Sequence, residues 1–280
     1  MKVVKTIQEL RQLLTEEKSQ GKTVGFVPTM GALHRGHLSL VQRCKKECGV
    51  AVVSIFVNPT QFNDRGDLER YPRTLAADVQ LLQAASCDVA FAPSEKEIYP
   101  EPDTRIFDFG LLDKVMEGER RPGHFNGVAQ VVSRLFDAVK PDCAYFGEKD
   151  FQQLAVVSEM VRQLGLPVEI VRCPIVREAD GLALSSRNAL LTPEQRAAAP
   201  IIAKTLFAAV DRVCDVDLAA LKKFVEDSIN ADERLKVEYF EVVCARTLQP
   251  VASLDDDCAK QACIAVHAGK IRLIDNVRLT

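Results

Sequence analysis

Residues 24–38 read VGFVPTMGALHRGHL. The first four residues form an apolar run that predicts a short buried strand ending before Pro28, and helical periodicity follows from Gly36 to Cys48. Gly31 lies between the two elements, where glycine permits a tight backbone turn. Because the amides at a helix start bind anions, this strand–turn–helix stretch predicts a site for phosphate.

The same alternation of short apolar strands and helices continues on both sides of this stretch. Thr6 to Glu9 has the pattern of a capping box at the start of the first helix, which ends near Gly21. The later predicted elements are strand 50–57, helix 74–86, strand 88–92, helix 128–139, strand 143–146, helix 151–164 and strand 168–173. Such alternation favours right-handed βαβ units. We therefore predict an α/β fold with a Rossmann-like doubly wound parallel sheet, whose ligands bind beyond the carboxyl ends of the strands.

The pattern changes after Pro174. Residues 192–195, TPEQ, have the cap, the proline and the glutamine of a helix start. Helices near 193–212 and 217–229 precede strands near 237–243, 262–266 and 271–277, and the last two strands have the pattern of a hairpin. Strands outside the βα alternation predict a nucleotide-binding domain at 1–175 and a smaller carboxyl-terminal α+β domain at 176–280.

The composition argues against several classes of protein. The 280 residues carry 36 basic and 39 acidic side chains, a net charge of −3, so the basic excess of a general nucleic-acid binder is missing. No apolar stretch of the sequence approaches the roughly 18 residues of a membrane-spanning helix. The amino terminus lacks the apolar segment of a secretory signal, and nine scattered cysteines predict reduced thiols. We therefore expect a cytoplasmic protein.

Two of the four histidines, His34 and His37, fall within one turn. Imidazole N–H groups at a helix start can donate to phosphoryl oxygens, where negative charge develops when an α-phosphate is attacked. A zinc site is the alternative, because Cys44 and Cys48 share a helical face with His37. The spacing departs from common zinc-finger patterns, and cysteine is often a small buried apolar residue, so phosphate binding is the favoured interpretation.

Other polar groups follow other predicted strands. Asn58 and Gln61 suit a small polar substrate, with an Asn-Pro turn as the structural alternative. Lys149 can offset polyphosphate charge and Asp150 can bind a ribose hydroxyl, with a solvated charge cluster as the alternative. The loop at 184–188 supplies two hydroxyls and a guanidinium for phosphates, unless its serines only cap a helix. No activated nucleophile stands out, which fits a substrate whose own ionised carboxylate attacks.

Five segments in a fixed order together resemble the pantothenate synthetase (pantoate–β-alanine ligase) family. They are residues 28–37 (PTMGALHRGH), 56–62 (FVNPTQF), 121–125 (RPGHF), 147–153 (GEKDFQQ) and 177–188 (READGLALSSRN). The His-x-Gly-His element alone marks only the broader nucleotidyltransferase superfamily. The resemblance implies an ATP-dependent ligase that condenses pantoate with β-alanine through a pantoyl adenylate, with release of AMP and pyrophosphate and with Mg²⁺ accompanying ATP.

The resemblance also implies roles for individual residues. Charge stabilisation during catalysis would fall to His34, His37, Lys149 and Arg187. ATP would be contacted by Met30, His34, His37, Gly147, Glu148, Lys149, Asp150, Val176, Leu184, Ser185, Ser186 and Arg187. Pantoate and β-alanine would be held by Gln61 and Gln153, with Asn58 nearby. The family is further expected to form a homodimer through the larger domain, and the smaller domain is expected to close over ATP.

Two other functions stay open at this point. A nucleotidylyltransferase acting on a phosphorylated metabolite would use the same histidines, but it would need extra cationic groups and would leave the two glutamines unexplained. A non-catalytic nucleotide-binding protein is expected to have lost Lys149 or a histidine of the pair, and the sequence retains them. Arg120, Arg121 and His124 add cationic groups in one loop, and the sequence assigns them no role.

Overall fold

The computed structural model describes residues 1–62 and 65–279. The chain divides into two compact units. The large unit consists of residues 1–109, 121–148 and 153–174, and the small unit consists of residues 110–120, 149–152 and 175–280. The division predicted from sequence, 1–175 and 176–280, therefore differs in that two short earlier segments belong to the small unit.

The large unit is built on a six-stranded parallel sheet. Its strands are β1 (Lys2–Val4), β2 (Val24–Thr29), β3 (Val50–Ile55), β4 (Val89–Phe91), β5 (Cys143–Gly147) and β6 (Glu169–Cys173). They lie in the order β1-β4-β3-β2-β5-β6, and each neighbouring pair is parallel. The predicted doubly wound fold is confirmed. After β2 the chain adds strands on one side and later returns to the other side, so the switch point of the topology lies between β2 and β5, where such sheets bind ligands.

The helices follow the predicted alternation, with several differences in their ends. The described residues contain α1 (Ile7–Ser19), α2 (Arg35–Glu47), α3 (Arg65–Arg70), α4 (Leu75–Ala84), α5 (Glu95–Ile98), α6 (Met116–Arg120), α7 (His124–Val139), α8 (Phe151–Leu164), α9 (Pro193–Ala198), α10 (Ile201–Arg212) and α11 (Leu218–Asn230). The capping box at the start of α1 is present, because Thr6 and Glu9 exchange backbone-to-side-chain hydrogen bonds. α8 has the predicted bounds.

Proline and glycine explain the main differences from the predicted elements. The single helix expected over 193–212 is two helices, since Pro200 has no N–H to donate and interrupts the hydrogen-bond ladder between α9 and α10. β2 continues through Pro28 because its pairing with β5 covers only Gly25 and Phe26, so no bond to β5 is required of the proline. α7 begins earlier than predicted, directly after Gly123, whose φ is 81°.

The two cysteines of the zinc alternative lie in the core of the large unit. Cys44 and Cys48 are buried under β2, and a Cβ added to Gly25 would collide with both thiols. Burial raises the pKa of the Cys44 thiol far above its ordinary value, so this sulfur stays protonated and serves as apolar packing. Because Gly25 has no side chain, helix α2 can pack close to strand β2. The histidine pair lies at the start of this helix.

The small unit contains a three-stranded antiparallel sheet. Its strands are β7 (Leu235–Cys244), β8 (Lys260–Ala268) and β9 (Ile271–Arg278), and the predicted hairpin joins the last two. Helices α10 and α11 cover the sheet through a core that includes Leu206, Val225, Phe240 and Ile264. Segment 110–120 is fixed to this unit by Glu117, which accepts two hydrogen bonds from Arg272 at 2.7 and 2.6 Å.

None of the helices within the described residues combines the length and the apolar character needed to cross a membrane.

Candidate active site

The turn after β2 is held by a buried carboxylate of α4. Asp78 Oδ1 accepts from the Leu33 amide at 2.8 Å, and Oδ2 accepts from the Ala32 amide at 3.1 Å. Thr74 Oγ1 donates to Oδ2 at 3.2 Å. The turn has left-handed backbone angles at Gly31 (φ 79°) and Ala32 (φ 49°), a conformation that the alanine adopts at an energetic cost. Asp78 therefore stabilises a strained turn that leads directly into α2.

The two histidines cap α2 reciprocally. His34 is the N-cap residue, and its Nδ1 accepts a hydrogen bond from the Gly36 amide at 3.1 Å. His37 Nδ1 accepts from the His34 amide at 3.3 Å. The ring centroids are 4.0 Å apart with an angle of 35° between the planes. The pair thus performs with imidazoles what serine and glutamate perform in an ordinary capping box.

This cap assigns the tautomer of both rings. A nitrogen that accepts a hydrogen bond carries no proton, so each neutral ring of His34 and His37 holds its proton on Nε2. The Nε2–H groups are therefore the donors that the two rings can present to a ligand at the start of α2. Two fixed donors beside the positive end of a helix form an arrangement that suits phosphoryl oxygens.

Asn58 is fully occupied by bonds within the protein. Its Nδ2 donates to Gln61 Oε1 and to the Gly127 carbonyl, each at 3.2 Å. Its Oδ1 accepts from Tyr99 Oη at 2.9 Å and from Thr60 Oγ1 at 3.2 Å. The side chain is almost completely buried. Asn58 therefore shapes the turn after β3 and orients the neighbouring glutamine.

Gln61 links the turns that follow β2 and β3. Its Nε2 donates to Met30 Sδ at 3.0 Å, and its backbone carbonyl accepts from His124 Nδ1 at 2.8 Å. Arg121 Nη1 lies 3.1 Å from His124 Nε2 and donates to it, which places the imidazole proton on Nδ1. The loop that sequence reasoning left without a role thus supports the predicted substrate glutamine.

Gly127 on α7 permits a close approach to this turn. A Cβ at this position would lie 2.6 Å from the Thr60 carbonyl oxygen and 2.9 Å from Gln61 Cα. Both distances are shorter than any van der Waals contact, so no side chain fits here. Sequence reasoning missed both Gly127 and Asp78, because each acts on a turn far away in the chain and carries no local signal.

In the small unit, the predicted Lys149 and Asp150 lie in a 3₁₀ turn that continues into α8. Their side chains form an ion pair at 3.4 Å. The Lys149 carbonyl accepts from Asn276 Nδ2 of β9 at 2.9 Å, and Asn276 Oδ1 in turn accepts from Gln261 Nε2 at 2.7 Å. A buried pair of amides on the antiparallel sheet therefore fixes the backbone that carries the lysine.

The loop at 176–188 is a small folded structure. The Leu184 amide donates to the Val176 carbonyl at 3.0 Å, which closes the base of the loop. Ser185 caps the following 3₁₀ turn, because its Oγ accepts from the Arg187 amide at 3.3 Å. This capping role is the structural alternative considered for the serines. It uses a lone pair of Ser185 and leaves the hydroxyl hydrogen able to donate.

The predicted residues are thus distributed over both units. In the large unit, Met30, His34, His37, Asn58 and Gln61 follow β2 and β3, whereas Gly147 ends β5, Glu148 follows it, and Gln153 lies in the first turn of α8. The small unit carries Lys149, Asp150, Val176, Leu184, Ser185, Ser186 and Arg187. Within the large unit, these groups surround the carboxyl ends of β2, β3 and β5, as the strand order predicts.

The chain is similar to proteins of a known family over nearly its whole length. The family model described as pantoate-beta-alanine ligase matches residues 2–278. The pantothenate synthetase of Bacteroides thetaiotaomicron is 56% identical over 278 residues, which is 99% of each chain. The crystal structure of pantothenate synthetase from Thermus thermophilus has a TM-score of 0.93 at 47% identity, covering 100% of this chain and 99% of that one.

A third relative was crystallised with ligands. The pantoate-beta-alanine ligase of Francisella tularensis, complexed with beta-gamma ATP and beta-alanine, has a TM-score of 0.80 at 35% identity and covers 100% of this chain and 98% of its own. The matched residues include both units and all five sequence segments. The chain therefore belongs to the pantoate-β-alanine ligase family.

Proposed function

We propose that the chain condenses pantoate with β-alanine to give pantothenate, using ATP and releasing AMP and pyrophosphate. Family membership over residues 2–278 supports this function, as does the relative that was crystallised with beta-gamma ATP and beta-alanine. The observation that carries the proposal is the reciprocal cap of His34 and His37 at the switch point of the sheet. These relatives favour the ligase over the nucleotidylyltransferase alternative.

In the first step, a carboxylate oxygen of pantoate attacks the α-phosphorus of ATP. A bond forms between this carboxylate oxygen and the α-phosphorus. The bond from the α-phosphorus to the oxygen that bridges it to the β-phosphate breaks, and pyrophosphate leaves. The carboxylate is ionised at neutral pH, so no base is required, and the obstacle is the approach of two anions. Nε2–H groups of His34 and His37, with Lys149 and Arg187, supply donors and positive charge for the phosphoryl oxygens.

In the second step, the neutral amine of β-alanine attacks the carbonyl carbon of the pantoyl adenylate. The amide bond forms, the carbon–oxygen bond to AMP breaks, and the amine loses a proton. Water would destroy the adenylate by the same attack, so the site has to exclude it. We propose that the small unit closes over ATP for this purpose. Equal protease access to 176–280 with and without ATP would argue against this closure.

We assign the ATP contacts to the residues that the resemblance names: Met30, His34, His37, Gly147, Glu148, Lys149, Asp150, Val176, Leu184, Ser185, Ser186 and Arg187. Gln61 and Gln153 bind pantoate through their amides, which recognise hydroxyl and carboxylate groups without adding charge. The four internal hydrogen bonds of Asn58 support a different role for this residue from the one expected. We propose that it positions Gln61 and does not contact the substrate.

Mg²⁺ fits the oxygen donors beside Lys149. This ion usually keeps several waters and takes one or two carboxylates together with the phosphates of its nucleotide. Asp150 offers such a carboxylate, and its side chain is 46% exposed and paired with the lysine. When bound, the ion neutralises phosphate charge. No group of three or more His, Cys, Asp or Glu side chains able to hold a metal occurs within residues 1–62 and 65–279.

We propose a cytoplasmic homodimer as the working form. All nine cysteines are free thiols in the structure, which suits a reducing compartment. The dimer is proposed from the family resemblance alone, and sedimentation of the purified chain tests it. A monomer at micromolar concentration would rule out that part of the proposal.

The test of the function is a three-substrate assay. Purified protein is mixed with ATP, Mg²⁺, pantoate and β-alanine, and the release of pyrophosphate and AMP is followed. We expect AMP only when pantoate and β-alanine are both present. AMP transfer to a phosphorylated acceptor would support the nucleotidylyltransferase instead, and binding of ATP without turnover would support a non-catalytic protein. His267→Ala is the matched control for His37→Ala, because His267 lies on β8 of the small unit and is not among the predicted site residues.

A further inference from the structure

Two cysteines lie on neighbouring segments at one end of the small unit's antiparallel sheet. Cys244 is the last residue of β7, and Cys258 lies two positions before the first residue of β8. Cys244 pairs with Lys260 in the strand register, so Cys258 is its diagonal neighbour. The Ala245 amide donates to the Ala259 carbonyl at 2.8 Å and fixes the two segments side by side. Each thiol contributes to the pKa shift of the other, and both are partly exposed.

The turn after β7 is hydrogen-bonded to the backbone of Cys244. The Leu248 amide donates to the Cys244 carbonyl at 2.8 Å, and the Cys244 amide donates to the Gln249 carbonyl at 2.9 Å. Hydrogen bonds from the backbone of Thr247 and then of Arg246 to the sulfur lower the pKa of Cys244 to about 7. This sulfur is therefore substantially ionised at neutral pH, and a thiolate is the reactive form of cysteine.

Cys258 has the opposite character. The neighbouring Cys244 side chain raises the pKa of Cys258, so Cys258 remains a protonated thiol at neutral pH. Lys260 donates through Nζ to the Cys258 carbonyl at 3.0 Å and to the Asp256 carbonyl at 2.6 Å, which fixes the backbone of this segment. An ionised thiol beside a protonated one is the arrangement of a reactive and a resolving cysteine.

The buried cysteines differ from this pair. Burial raises the pKa of Cys87 to about 11 and raises that of Cys44 and Cys263 further, so these sulfurs stay protonated. Cys214 is exposed and lies between α10 and α11. Cys214 therefore serves as a control for the effect of solvent exposure alone on thiol reactivity.

We propose that Cys244 and Cys258 form a dithiol that a peroxide oxidises reversibly to a disulfide. The Cys244 thiolate attacks one oxygen of hydrogen peroxide, the O–O bond breaks, and a sulfenic acid and hydroxide form. The sulfur of Cys258 then attacks the sulfur of Cys244, and the sulfenic oxygen leaves as water with the proton from Cys258. The two thiols lose two electrons, and the peroxide is reduced to two waters.

The expected rate advantage follows from ionisation. At pH 7 a thiol with a pKa of about 7 is half ionised, whereas one at the ordinary value of 9.0 is ionised to about 1%. The intrinsic nucleophilicity of a thiolate falls as its pKa falls, which removes part of this advantage. We therefore expect Cys244 to react about fivefold to tenfold faster than an ordinary exposed thiol.

Trypsin separates the two cysteines, which makes the test direct. Cleavage after Lys236, Arg246 and Lys260 places Cys244 in peptide 237–246 and Cys258 in peptide 247–260. The full-length protein is treated with hydrogen peroxide at pH 7, blocked with a maleimide, digested without reductant and examined by mass spectrometry. We expect the two peptides to appear joined and to separate after reduction. Absence of the joined pair would overturn the proposal.

Three variants test the order of the steps. In Cys258→Ser, dimedone is expected to trap a sulfenic acid at Cys244, and Cys244→Ser is expected to abolish both this adduct and the joined peptides. Cys214→Ser should behave like the parent chain. Faster dimedone labelling at Cys214 than at Cys244, or an unchanged product in Cys244→Ser, would contradict the assignment. Ligase turnover confirms folding of each variant, since none of these thiols belongs to the proposed substrate site.

Discussion

The strained turn that leads to the histidine pair depends on the carboxylate of Asp78. The substitution Asp78→Asn therefore tests directly whether this carboxylate stabilises the turn. Asp78 is 1% exposed, and its two oxygens accept from two consecutive amides, of Ala32 and Leu33. Asparagine has nearly the same shape, but its amide nitrogen cannot accept a hydrogen bond. In either orientation of the new side chain, a backbone N–H loses its acceptor and faces another donor.

The magnitude follows from the type of bond that is lost. A buried hydrogen bond to a charged acceptor contributes about 1.5–3 kcal/mol, so we expect Asp78→Asn to lower the free energy of unfolding by about 2–3 kcal/mol. The turn is then free to leave its left-handed conformation and to move the start of α2. A displacement of about 1 Å at a reacting centre can reduce the rate about a hundredfold, so adenylation should fall by tenfold to a hundredfold.

Urea denaturation measures the first effect, and pyrophosphate release from ATP and pantoate measures the second. Asp137→Asn is the control, because Asp137 is 72% exposed and pairs with the exposed Arg11. Exposed ion pairs contribute about 1 kcal/mol or less, so the control should change little in either assay. If Asp78→Asn matched the parent chain in both stability and adenylation, the carboxylate would not be what holds the turn.

Three further predictions follow. His37→Ala and Lys149→Ala should each reduce adenylation about a hundredfold, the usual loss for one transition-state donor. Lys149→Ala should change the melting temperature little, whereas His37→Ala should lower stability by about 0.5–2 kcal/mol, the cost of a lost helix cap. A large drop in melting temperature at unchanged turnover would contradict their roles. Gly127→Ala should raise the KM for pantoate and lower stability by about 1–3 kcal/mol, because its Cβ meets the turn that carries Gln61; steady-state kinetics and urea denaturation would show this. A hydrogen bond from a neighbouring arginine lowers the pKa of Glu159 from 4.5 to about 2, so its stabilising contribution is complete above pH 4.5 and is lost as the pH falls towards 2. The stability difference between the parent chain and Glu159→Gln should therefore shrink over that interval, and a constant difference would contradict the assigned pKa.

The sheet could be predicted because its signals are local. Apolar runs of four to eight residues, interrupted by glycine and proline, mark β2, β3 and β5 without any knowledge of their neighbours. β1 was missed, since the three residues Lys2–Val4 are too few for a pattern and are strand only because they pair with β4. Pro200 was overlooked within a long helical pattern, although the missing N–H of proline is itself a local signal.

For the candidate site, the sequence indicates residue types, and the structure adds contacts that the spacing of residues does not determine. The sequence indicated that His34 and His37 would lie at a helix start, but the reciprocal cap requires a particular backbone conformation that spacing does not determine. Asn58 is predicted to lie near the substrate, and the structure adds its bonds to the Gly127 carbonyl on α7 and the Tyr99 hydroxyl, which spacing does not indicate. Asp78 lies 45 positions after the amide it binds, and such contacts arise only from the packing of one helix against another turn.

An isotope measurement tests the central claim most directly. The claim is that the carboxylate of pantoate attacks the α-phosphorus at the His34 and His37 donors, which makes its oxygen the bridge to AMP. Pantoate labelled with ¹⁸O in the carboxylate is converted in the presence of ATP and β-alanine, and the AMP is examined by mass spectrometry. We predict one labelled oxygen in each AMP. Unlabelled AMP, or ADP together with labelled orthophosphate, would contradict the account.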